Sequence, residues 1–183
     1  MVALLAVYHP QRAAFACCLI LAFLSDVFDG ILARRLKVAT ANLRRLDSLA
    51  DSIFYAAALF AAWHLYSAAI RTHLPGLAVL AALELARYAL DWLKFGREAS
   101  YHMWSSKLWG VFLFAGFYSL LALGSAGPVV AIAIYTGIAA DVEGIAISLL
   151  LPEWRHDVPS FVHAWRLRYA AFAERAVQRA NDR

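Results

Sequence analysis

The chain has 183 residues, 63% of them hydrophobic and only 16% charged, with a mean hydropathy of +0.61. A soluble domain of this size is about half apolar and about a quarter charged, which excludes an ordinary water-soluble globule. The formal net charge of +4 follows from basic loops on one side of a membrane, and no nucleic-acid partner is expected.

The opening segment, MVALLAVYHP, is apolar but too short to cross a bilayer. It reads as the tail of a first helix or as an interfacial stub, and it lacks the charged start and cleavage site of a signal peptide. A span needs about 20 apolar residues, and candidates follow at 12–33, 47–70, 75–94, 105–123 and 128–150. Cys17 and Cys18 are adjacent inside the first of these, which suits neither a disulfide framework nor a metal site. Residues 108–140 contain no Asp, Glu, Lys, Arg or His. That run is too long for one buried helix, and GSAGP at 124–128 divides it into two. Beyond 152, Phe161, Trp165, Tyr169, Phe172 and Ala176 recur at helical spacing among arginines. An amphipathic helix on an anionic membrane surface and a solvated helix packed on the bundle both fit this pattern. The expected fold is an all-α integral membrane protein, a bundle of five to six transmembrane helices with a C-terminal amphipathic helix. Residues 1–151 would form the transmembrane domain and 152–183 a basic cytoplasmic tail.

Charge placement orients the bundle. The loop at 34–46, the loop at 94–107 and the tail together hold 14 of the 17 lysines and arginines. Excess basic charge marks the cytoplasmic side, so these loops should face the cytoplasm of an inner or cell membrane.

Against that background the stretch SDVFDGILARRLKVATANLRRLDSLADS, residues 25–52, is anomalous. Asp26 and Asp29 lie three residues apart near the cytoplasmic end of one span. Asp47 and Asp51 lie four apart at the start of the next. Each pair shares one helix face, so two antiparallel helices present four carboxylates at one depth. Each unpaired carboxylate in apolar surroundings costs several kcal/mol. Two divalent cations would balance the four, since magnesium takes carboxylate and water oxygens and leaves positions for phosphate. Ion pairs with Arg34, Arg35, Arg44 and Arg45 are the alternative.

The order D26-V-F-D29-G30-I-L-A33-R34, then D47-S-L-A-D51, resembles the signature of the CDP-alcohol phosphotransferases, D-x-x-D-G-x-x-A-R, eight residues, G, three residues, D, three residues, D. The resemblance implies a metal-dependent membrane transferase of phospholipid biosynthesis. It would move a phospho-alcohol group from a CDP-linked donor, CDP-diacylglycerol or another CDP-alcohol, to a small alcohol acceptor, releasing CMP. It implies Mg2+ or Mn2+, two ions, held by Asp26, Asp29, Asp47 and Asp51, with Asp51 as general base. It implies substrate contacts at Gly30, Ala33, Arg34 and Lys107, a site facing the cytoplasm, membrane lipids as surroundings and a possible homodimer. One position departs from the pattern: the expected glycine is Leu43. That departure keeps open a degenerate member that binds CDP-lipid without turnover. A cation transporter is the rival from another class, although its acidic groups would be expected nearer the bilayer midplane. Elsewhere, an internal Glu84–Arg87 pair is expected within the third span. Asp141 and Glu143 in the last span would line a polar cavity or meet an arginine.

Overall fold

The computed structural model describes residues 1–8, 10–36, 41–98, 101–169 and 172, and at 30, 33, 34, 41–45, 47 and 48 the backbone alone. The helices are α1 (Val2–Tyr8), α2 (Arg12–Arg35), α3 (Ala41–Thr72), α4 (Leu74–Phe95), α5 (Trp104–Phe117) and α6 (Pro128–Leu150). A π-helical turn, Tyr118–Ala122, extends α5, and there is no β-strand among the described residues. Among the described residues, three segments are long and apolar enough to cross a membrane: Leu49–Thr72, Trp104–Ala122 and Pro128–Leu150. Helices α2 and α4, with 24 and 22 residues, also have spanning length but carry ionisable side chains within it. The chain is an all-α membrane protein, and its helices fall where the apolar runs predict them.

Contacts divide the chain into two compact units, Met1–Leu74 with Leu113–Ile132, and Pro75–Phe112 with Ala133–Arg183. In the first unit α1 packs on α3 and α2, burying Val2 and Ala6. The opening segment is therefore a packed helix. Phe15 and Leu19 of α2 are fully enclosed, as are Ala58, Ala61 and Ala62 of α3. Small side chains at this spacing let helices approach closely. Helix α3 begins six residues before the expected start of its span and is interrupted at Tyr66 (φ −132°, ψ 41°).

The break between α5 and α6 is built in detail. Ser125 N–H reaches back to Ser119 O at 2.9 Å, while Ser119 Oγ donates to Ser125 O at 2.9 Å. Gly124 has φ +70°, and a Cβ there would lie 2.6 Å from Arg12 Nη2. The left-handed turn favours glycine at this position, whereas the Arg12 guanidinium, at the end of a flexible side chain, can move aside. Pro128 then opens α6 at a helix start, where its missing N–H costs nothing.

In the second unit a small core of Tyr101, Met103, Ile147, Leu151, Val158 and Ala164 closes the end of α6. Residues 161–169 are helical. Ala164 and Leu167 pack into this core, while Phe161, Trp165 and Tyr169 stay exposed. The tail helix is thus docked on one side, as expected of a helix packed on the bundle, and exposed on its aromatic side. Ala176, the last position of the expected stripe, lies outside the described residues.

Candidate functional site

Helices α2 and α3 carry the aspartates. Asp26 and Asp29 lie on α2, both exposed, and Asp51 lies half-buried on α3. Ser25 Oγ donates to Asp29 Oδ2 at 3.2 Å, one turn along the same helix. The carboxylates of Asp51 and Asp26 both act electrostatically on the Tyr55 phenol.

Aromatic packing ties both acidic helices to α5. Asp26 follows Phe23 by three residues, and Asp51 precedes Tyr55 by four, one helical turn in each case. The Phe23 ring stacks on Phe114 with centroids 4.5 Å apart. Tyr55 stacks on Phe117 at 5.8 Å with the planes 28° apart. Phe114 and Phe117 are themselves one turn apart, so a single face of this extended helix fixes the rotation of both acidic helices. Such ring pairs contribute about 0.5–1.5 kcal/mol each beyond their burial. Tyr55, Phe23, Phe114 and Phe117 are absent from the sequence-based set of site residues. The available signal was an aromatic one turn from an aspartate on each of two consecutive helices.

Asp47, Gly30, Ala33 and Arg34 have backbone positions on α3 and α2, and their side chains lie outside the described residues, as does that of Leu43. Among the described residues, no three His, Cys, Asp or Glu side chains are gathered into one ligand group. Asp26, Asp29 and Asp51 supply carboxylate oxygens, the donor type that a hard divalent cation takes. Lys107 lies exposed in the first turn of α5, in the second unit. Its ammonium sits over the Trp104 ring, 4.5 Å from the centroid.

The other buried charges belong to the second unit and link α4 to α6. Arg87 Nε donates to Asp141 Oδ1 at 3.0 Å, whereas Glu84 Oε1 stands 3.8 Å from Arg87 Nη2. The closer partner of Arg87 is thus on another helix, and the expected Glu84 pair is the looser one. Gly144 makes this possible: a Cβ there would lie 2.8 Å from Arg87 Cδ. Further along, Ser148 Oγ donates to the fully buried Asp91 at 2.6 Å and lies 2.9 Å from Tyr101 Oη. Lys94 Nζ donates to the carbonyls of Ser148 and Leu149 at 2.8 and 3.0 Å. Sequence separations of 54 to 57 between these partners describe parallel helices in register. Glu143 serves differently, accepting the Phe161 N–H at 2.9 Å. A carboxylate there suits the positive end of the helix that begins at 161.

The family described as CDP-alcohol phosphatidyltransferase matches residues 1–153. The match takes in both aspartate pairs and both helices that carry them. The comparisons found no similar curated protein and no similar solved structure.

Proposed function

The chain belongs to the CDP-alcohol phosphatidyltransferase family, and we propose that it transfers a phospho-alcohol group from CDP-diacylglycerol to the hydroxyl of a small alcohol at the cytoplasmic face. The observation that carries this reading is the family match over residues 1–153, within which Asp26 and Asp29 lie on α2 and Asp47 and Asp51 on α3.

In the proposed reaction the acceptor oxygen forms a new bond to the phosphorus that bears the diacylglycerol. The bridging P–O bond to CMP breaks, and CMP leaves. Asp51 takes the hydroxyl proton, a role that its half-buried position suits better than full exposure would. Asp26, Asp29, Asp47 and Asp51 would hold one or two Mg2+ or Mn2+ ions. Bound there, such ions neutralise pyrophosphate charge and stabilise the leaving phosphate. Arg34 would pair with phosphate oxygens, and the lack of a side chain at Gly30 with the small one at Ala33 would admit the nucleotide to the α2 backbone. Residues 1–151 form the transferase part in this reading, with 152–183 as its basic cytoplasmic tail.

The test is product analysis. Reconstituted protein is given CDP-diacylglycerol, Mg2+ and a pooled set of small alcohols and their phosphates. A new phosphodiester lipid should form in equal amount with CMP. CMP formed without a lipid product would mean hydrolysis and overturn the transferase assignment.

A further inference from the structure

The second unit contains a cavity of about 230 Å³ lined by Lys94, Leu149, Leu151, Pro152, Arg168 and Phe172, among others. It lies where α6 ends, beside the last turn of α4 and next to the tail helix. Two cations share its wall, and no carboxylate does. Like charges held together repel, and an anion between them removes the repulsion.

The two cations are differently prepared. Lys94 is anchored by its bonds to the Ser148 and Leu149 carbonyls. An ammonium has three donors, so one remains for another acceptor. The Arg168 guanidinium stands over the Phe172 ring at 5.7 Å and makes no ion pair among the described residues. The rest of the wall is apolar, which suits a hydrocarbon chain better than a freely hydrated ion. The helix that supplies Arg168 also leaves Trp165 53% and Tyr169 71% exposed. Aromatic rings beside arginines are characteristic of the membrane–water interface.

We propose that this cavity binds an anionic phospholipid, its phosphate between Lys94 Nζ and the Arg168 guanidinium and an acyl chain along Leu149 and Leu151. The lipid would clamp the tail helix to the end of α6. The site uses none of the residues assigned to phosphoryl transfer, and its occupancy is independent of turnover. Basic pockets between helices at the membrane surface are suited to such headgroups.

Native mass spectrometry of the detergent-solubilised full chain tests this, with phosphatidylglycerol, phosphatidylcholine or inorganic phosphate added. One phosphatidylglycerol should be retained, phosphatidylcholine should not, and excess inorganic phosphate should not displace it. Arg168→Glu should weaken retention about tenfold, with lipid-free thermal stability unchanged because the side chain is exposed. Arg166→Glu makes the same charge change outside the cavity lining and should leave retention intact. Displacement by inorganic phosphate would mean a free-anion site and overturn the proposal. So would unaltered retention in Arg168→Glu, or equal loss in both variants, which would indicate bulk surface charge.

Discussion

Replacing Asp141 by leucine removes the closer partner of a charge buried inside the helix bundle. The Arg87 and Asp141 side chains are 17% and 4% exposed and meet at 3.0 Å. At an effective dielectric of about 20, unit charges 3.0 Å apart attract by roughly 5.5 kcal/mol. Glu84, at 3.8 Å and 37% exposed, offers roughly 4.4 kcal/mol on the same scale before solvent screening. Arg87 in Asp141→Leu would keep that weaker partner and its full desolvation cost. Breaking a buried pair costs about 3–5 kcal/mol, and the remaining Glu84 places the expected loss near the lower end, about 3 kcal/mol. That is about two decades in the unfolding equilibrium. Unfolding by sodium dodecyl sulfate in mixed micelles, followed by circular dichroism, reads this directly. Glu84→Gln should lose less than about 1 kcal/mol. The double variant Arg87→Leu/Asp141→Leu should recover most of the loss, because no charge is left stranded. A loss below about 1 kcal/mol in Asp141→Leu, or one equal to that of Glu84→Gln, would refute the assignment of Asp141 as the principal partner.

Four further outcomes follow from the same packing. Ser148→Ala leaves Asp91 without its 2.6 Å donor and should cost about 1–3 kcal/mol in the same unfolding assay. Gly124→Ala places a side chain at a left-handed φ and should cost about 1–3 kcal/mol. Gly110→Ala, with open space around its Cβ position, should be neutral or stabilise α5 by about 0.5–1 kcal/mol. Burial, opposed by the Ser148 hydrogen bond, pushes the Tyr101 phenol above its ordinary value of 10.0. The raised value means that the folded state keeps the proton when the unfolded chain releases it. Stability should be intact below pH 10 and decline as pH rises toward the folded value, a slope that Tyr101→Phe should reduce.

Much of the fold was legible because bilayer crossing imposes a length and an apolarity that few segments satisfy. The GSAGP break and the charge-free run from 108 to 140 led directly to α5 and α6. The two aspartate pairs were legible for a similar reason, since carboxylates in apolar surroundings are costly and need an explanation. Asp141 does meet an arginine, one of the two outcomes expected for it; what escaped was which partner lies closest at long sequence separation. Glu84 sits one turn from Arg87 and is the natural local partner, yet Asp141, 54 residues away, lies nearer because α4 and α6 run parallel and Gly144 removes an obstacle. The rings that orient the aspartates escaped for the same reason. Phe23, Tyr55, Phe114 and Phe117 look like ordinary apolar span residues until three helices are brought together. The π-turn at 118–122 and the interruption at Tyr66 also have no local signal, because neither contains a glycine or proline.

The most direct test of the central claim is CMP release from CDP-diacylglycerol by wild type and by Asp51→Asn, each reconstituted in the same vesicles with Mg2+ and the acceptor pool. The exchange conserves side-chain shape and removes only the carboxylate's basicity and charge. Wild type should release CMP only when an acceptor and the metal are present. Asp51→Asn, shown to be folded by its circular dichroism, should fall by at least about a hundredfold, the scale of a lost general base. Equal release by the two proteins, or none by wild type with any acceptor, would contradict the assignment of this aspartate array as the centre of phosphatidyl transfer from CDP-diacylglycerol.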